Sequence, residues 1–263
     1  MTDPHASRVI IALLVAVGLA MLLALWAVQL RTRDAATADL GWTILVAGGA
    51  IAAAALTEGD PACRWLVAAL AFLWAARLGF HLLRDRVWAG RPEDGRYRAL
   101  RERWGRAAPR NFLFLYLAQS VIATLFILPL AAAMRGGPLD AWARAGIAVW
   151  ILSVAGEALA DAQLARFRAN PANAGRVCQD GLWRYSRHPN YFCEWLHWWA
   201  YVLIGHARPL TFLGPAAMLL FLLRVTGIPY TERQAIRSRG DAYRAYQRAT
   251  SAFIPWPPRR GNR

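Results

Sequence analysis

Asn190, Glu194, His197 and Tyr201 recur at spacings of four, three and four residues inside an otherwise apolar stretch. At helical periodicity they share one face, so an amide, a carboxyl, an imidazole and a phenol line up along one stripe. Such groups hydrogen-bond, move protons and hold the polar parts of a ligand. In hydrocarbon they are costly, which makes the stripe a candidate functional site. Trp195, Trp198 and Trp199 are expected to look elsewhere.

The flanking residues suggest what the stripe binds. Gly181 allows a turn of positive φ, and Pro189 suits the first turn of a helix, where its missing N–H costs nothing. Arg176, Arg184 and Arg187 precede that helix, and guanidinium forks beside a helix N-terminus form an anion site. The same arginines also serve as topology-setting charge. Upstream, Glu157, Asp161, Leu164 and Arg168 share a helix face. They form either a snorkelling charge pair at a helix end or a polar wall for hydroxyl and phosphate groups.

These residues must be positioned by membrane helices. The chain is 57% hydrophobic over 263 residues, and its charge sits between apolar runs. Seven spans are expected, at about 8–30, 40–57, 64–83, 111–134, 140–164, 190–206 and 209–229, each near the ~20 residues needed to cross the hydrocarbon. Residues 8–30 are too long for the apolar core of a signal peptide and read as a retained span. The arginines concentrate in 84–110, in 165–189 and after 230. The positive-inside rule then places the N-terminus outside and the C-terminus in the cytoplasm. The expected fold is an all-α integral membrane protein, a seven-transmembrane-helix bundle forming one domain over residues 1–263. Its localisation is multi-pass, in a bacterial inner membrane. The tail is expected to dock as an amphipathic helix around Arg233 to Gln247.

Composition excludes several classes. All 31 basic residues are arginine, which removes lysine Schiff-base and Walker-type chemistry. The net charge of +15 lies in inter-helix loops, so nucleic acid is not expected as a partner. Cys63, Cys178 and Cys193 have neither disulfide-framework nor zinc spacing, and no metal is expected.

Ser186-Arg-His-Pro-Asn-Tyr-Phe-Cys-Glu194 resembles the signature of the steroid 5α-reductase family, in its bacterial branch. The resemblance is strongest from about Gly156 to Pro255 and includes Tyr243, Tyr246 and Phe253-Ile-Pro255. It implies a seven-helix bundle with NADPH in a cavity open to the cytoplasm, the cofactor half covering about 140–263. By resemblance Asp161, Arg168, Arg176, Asn190 and Glu194 hold NADPH, joined by Tyr185. Glu157 stands where the steroid enzymes have asparagine, Arg91 lies in a matching Gly90-Arg91-Pro92 motif, and Arg224 matches an arginine ending the last span.

The family reaction delivers hydride to the β-carbon of an enone while a donor polarises the carbonyl. The implied substrate is a hydrophobic steroid or sterol-like lipid, and the protein is expected to act as a monomer in contact with membrane lipid. Leu56-Thr57-Glu58 resembles the family's glutamate site, although Gly59-Asp60-Pro61 makes Glu58 equally a solvated turn residue. Span three lacks the family's tyrosine, which leaves His197, Tyr116 and Trp74 as candidates for donor or substrate contact. Two other readings compete. Isoprenylcysteine and phospholipid methyltransferases, which use S-adenosylmethionine, share an Arg-His-Pro-x-Tyr element and a late acidic residue, approximated by Glu232. A non-enzymatic lipid carrier or channel also fits the polar stripe but not the arginine-rich vestibule. Asn190 with Glu194, and the Asp161/Arg168 face, favour the reductase.

Overall fold

The computed structural model describes residues 4–84 and 93–259, and no strand occurs among them. Among the described residues, six helical stretches are long and apolar enough to cross a membrane: 8–32, 37–56, 61–82, 95–133, 141–169 and 209–249. The chain is an all-helical, multi-pass membrane protein. The expected sixth span is a helix of 16 residues, about 24 Å at 1.5 Å per residue. That is short of a ~30 Å hydrocarbon core, so it does not rank with the six. The chain divides into two compact units, Met1–Asp140 with Ile204–Leu213, and Ala141–Leu203 with Gly214–Arg263.

The first unit contains α1 (Pro4–Thr32), α2 (Thr37–Leu56), α3 (Pro61–Leu82), α4 (Gly95–Trp104) and α5 (Ala108–Ala133). α2 packs on α1, α3 and α5. Between helices in hydrocarbon, close packing and hydrogen bonds replace the hydrophobic drive. This accounts for Ala38, Gly41, Ala50 and Ala54 on the buried face of α2. Asp60 caps α3 by accepting from the Cys63 N–H at 3.0 Å, with Pro61 in the first turn. Trp42 packs edge-on against both Trp74 and Phe126.

A polar knot closes one end of this unit. Asp39 accepts from Arg96 Nη2 at 2.8 Å and from the Tyr97 hydroxyl at 2.6 Å. Glu93 accepts from Arg101 at 2.7 Å and from the Ala35 N–H at 3.0 Å. Gln29, fully buried, accepts from Arg101 at 3.2 Å. Burial, followed by the nearby Asp39 carboxylate, pushes the Tyr97 phenol well above its usual range. The knot therefore clamps α4 onto the α1–α2 turn.

The second unit contains α6 (Ala141–Ala169), α7 (Pro189–Ile204, up to Leu203), α8 (Leu213–Leu220, from Gly214) and α9 (Ile228–Ala249). α6 ends with Arg166 and Arg168 in its last turn, where cations complement the helix dipole. α9 is the expected amphipathic tail helix, but Gly240 at φ 52°, ψ −125° breaks it into two pieces. Ala235, Tyr243 and Tyr246 form its buried side, with Val177 and Ile236 packed against them.

Candidate functional site

α6 and α7 set the site. Pro189 opens α7 as expected, and Asn190 in its first turn donates its amide to Asp161 Oδ1 on α6 at 3.1 Å. A Cβ on Gly156 would lie 2.9 Å from Cys193 Sγ, so the two helices approach closely one turn further on. Eleven residues along each helix from the Asn190–Asp161 pair, the Tyr201 hydroxyl faces the Trp150 indole. The helices thus run antiparallel in register, and a step of four residues from Asn190 and Asp161 reaches Glu194 and Glu157. Both carboxyls are buried, at 8% and 6% exposure. His197, 1% exposed, follows on the same face of α7. Its Nδ1 lies 2.8 Å from the Glu194 carbonyl. A carbonyl only accepts, so Nδ1 carries a proton. Glu194 Oε1 is 3.9 Å from the same nitrogen. Trp198 corrects the expectation that the tryptophans look away, since its ring centroid lies 4.8 Å from that of His197 and it is fully buried.

The approach to α7 is a clasp. Gly181 has φ 58°, as its position predicts, and the following Leu182 N–H donates to Gln163 Oε1 at 2.9 Å. Trp183 donates its indole N–H to the Ala160 carbonyl at 2.9 Å. Ser186 Oγ donates to the Phe253 carbonyl at 2.8 Å, and the Arg187 N–H donates to the Ser251 carbonyl at 2.8 Å. Arg187 Nε lies 2.6 Å from Glu232 Oε1, and its Nη1 reaches the carbonyls of Gln247 and Thr250 at 3.1 and 2.6 Å. Gln247 Nε2 donates to Glu232 Oε2 at 2.9 Å, and His188 Nε2 lies 3.4 Å from Oε1. Tyr246 donates to the Trp183 carbonyl, and burial pushes its phenol well up.

This clasp corrects one expectation. Arg187 was a candidate anion ligand, but its guanidinium is spent on Glu232 and on the tail's carbonyls. Burial alone would raise the Glu232 carboxyl, yet donors from His188 and Arg187 hold it down at about 2. Burial also lowers the His188 imidazole, which stacks on Tyr191 at 5.3 Å and 9°.

A family model described as a protein of unknown function, DUF1295, matches residues 25–250. The chain belongs to this family. It is also 26% identical over 262 residues to an uncharacterized protein of Schizosaccharomyces pombe, covering 88% of this chain and 75% of that protein. No solved structure matches the chain.

The other expected residues of this DUF1295 chain fall as follows. Arg168, Arg176 and Arg224 are exposed, at the end of α6, in the loop after it and in the turn Phe221–Val225 after α8. Tyr185 is exposed, its carbonyl accepting from the Trp256 N–H at 2.9 Å. Arg91 lies outside the described residues. Glu58, Trp74 and Tyr116 belong to the first unit. Glu58 is exposed on the turn between α2 and α3. Trp74 and Tyr116 are fully buried, and the Tyr116 hydroxyl lies 2.6 Å from Thr37 Oγ1. Sequence reasoning missed the clasp roles of Ser186, Gln247 and Thr250. Their partners are backbone carbonyls or residues far along the chain, which no local spacing reveals.

Proposed function

We propose that the protein is an NADPH-dependent reductase of a C=C bond conjugated to a carbonyl in a steroid or sterol-like lipid. The observation that carries this reading is the Asn190–Asp161 hydrogen bond, with Glu194 and Glu157 buried at the next level of the same two helices. These groups suit a nucleotide. Buried carboxylates accept from ribose hydroxyls and a carboxamide, while exposed Arg168, Arg176 and Arg224 offer guanidinium groups for phosphates. Arg91 would join them by its resemblance to the family motif.

NADPH, when bound, would supply the hydride. The β-carbon of the enone would take it, leaving NADP⁺, and a proton from the protein would convert the resulting enolate to the saturated ketone. His197 is the donor best placed in the second unit. With Nδ1 committed to the Glu194 carbonyl, it donates from Nε2 as imidazolium, balanced by Glu194. Glu58, exposed, is the weaker candidate. The finer membrane arrangement belongs to the same proposal: seven spans with α7 as a short one, N-terminus outside, C-terminus in the cytoplasm of a bacterial inner membrane, and a monomer.

The methyltransferase reading needs Glu232 at the ligand. Three side chains, Arg187, His188 and Gln247, already engage that carboxylate. The deciding experiment titrates detergent-purified protein with NADPH and with S-adenosylmethionine. Saturable NADPH binding alone supports the reductase and leads to assay of NADPH oxidation with 4-ene-3-one steroids. Binding of S-adenosylmethionine alone overturns it.

A further inference from the structure

α2 and α3 leave an open groove of about 530 Å³ on the surface of the first unit. Its lining includes the small residues Gly48, Ala75, Ala76 and Gly79. A Cβ on Gly48 would meet nothing within 4 Å, so the space there is open. Large apolar side chains border it and stay exposed, among them Ile44 at 47%, Phe72 at 49% and Phe80 at 55%. Thr43 is the one polar residue lining it, and its hydroxyl already donates to the Leu40 carbonyl at 2.7 Å.

Length and charge choose the occupant. Along α2 the lining runs from Leu40 to Ile51, and along α3 from Leu83 to Phe72. Each run of twelve residues, eleven steps, covers about 16 Å at 1.5 Å per residue, roughly half of a ~30 Å hydrocarbon core. The groove therefore has the depth of one leaflet. It starts at the end of the unit closed by the Asp39 knot, where α2 begins and α3 ends. Arg84, exposed, follows directly on Leu83, and His81 follows Phe80. The acidic residue beside Leu40 is Asp39, and its charge is taken by Arg96. Arg84 thus places a cation at the end of an apolar body, matching an anionic headgroup above an acyl chain.

We infer that this groove binds one anionic phospholipid of the leaflet at the arginine-rich end, its phosphate at Arg84 and one acyl chain between α2 and α3. The site lies within the first unit and does not depend on the reductase reading.

The full chain is reconstituted in nanodiscs of equal dioleoylphosphatidylcholine and dioleoylphosphatidylglycerol, then released and its retained lipid counted by native mass spectrometry. One phosphatidylglycerol is expected to remain, preferred about fivefold over phosphatidylcholine. Arg84→Gln should bring the two lipids to parity. Gly48→Trp should fill the groove and reduce retention of both, while Gly48→Ala, which adds one methyl to open space, should retain lipid as the parent does. Equal retention of both lipids by the parent chain overturns the inference. So does phosphatidylglycerol retention unmoved by Arg84→Gln and Gly48→Trp, which is the behaviour of annular lipid.

Discussion

Arg187 on the loop before α7 and Glu232 in the first turns of α9 lie 2.6 Å apart, and each side chain is nearly enclosed, at 10% and 15% exposure. This pair joins the chain's recognition motif to its C-terminal helix. Glu232→Gln keeps the shape but removes the charge that Arg187 and His188 face, and should destabilise the protein by about 2 kcal/mol. Thermal unfolding in detergent measures it. Leu at both positions should cost less than the two single Leu substitutions added together, because neither then leaves an unpaired charge.

Acid should loosen the clasp in two stages. The folded-state pKa of His188 is lowered from 6.5, so the unfolded chain takes that proton first, and stability starts to fall as pH drops below about 6.5. The Glu232 carboxyl is lowered from 4.5 to about 2, so its contribution is complete above 4.5 and is lost as pH falls toward 2. Melting temperatures across this range should show both steps. His188→Phe, which keeps a ring beside Tyr191, should remove the upper step, and Glu232→Gln the lower. A flat profile in the parent protein contradicts both assignments.

Asn190→Ala removes the amide that Asp161 accepts. NADPH affinity should fall about tenfold, the value of a hydrogen bond to a charged group, while membrane insertion is unaffected. Asn190→Asp should be worse, since it sets two carboxylates against one another. Fluorescence titration of NADPH reads both. An unchanged dissociation constant in Asn190→Ala sinks the cofactor assignment.

What was legible in the sequence was periodic or local. Apolar runs gave the long helices, Pro189 and Gly181 gave a helix start and a turn, and the 190/194/197/201 spacing gave the stripe of α7 whose Glu194, His197 and Tyr201 are buried. The rest depended on pairs distant in the chain. Asp39 stands in the first turn of α2, yet it binds Arg96 and Tyr97 more than fifty residues away. Arg187 read as an anion ligand because the tail carbonyls of Gln247 and Thr250 leave no trace in composition. Trp198 read as outward because one helical face was assigned by polarity alone, while the structure packs both His197 and Tyr201 against its ring.

Two candidate donors can be separated by kinetics. His197→Gln should lower turnover about a hundredfold, the usual worth of a positioned acid, and flatten the pH–rate profile with NADPH affinity retained. Glu58→Gln should leave turnover unchanged, because Glu58 is exposed on its turn. The reverse pattern moves the donor to Glu58 and requires an enclosure that the chain alone does not give it.

Gly181 tests how far the approach loop sets the site. Its φ of 58° costs an L residue about 1–2 kcal/mol, and a Cβ there would overlap the Gln163 amide. That amide is the acceptor for the Leu182 N–H at 2.9 Å, so pushing it aside also breaks the bond that fixes the turn ahead of Asn190. Gly181→Ala should therefore both lower the melting temperature and weaken NADPH binding. Gly175, at φ 74° with open space around its Cβ position, is the control. Gly175→Ala carries the backbone cost alone, and should lower stability modestly with cofactor affinity intact. Adding Gln163→Ala to Gly181→Ala relieves the overlap but restores neither the backbone conformation nor the Leu182 bond, so binding should stay weak. Recovery of full affinity in that double variant shows that only the clash mattered and that the turn does not position Asn190.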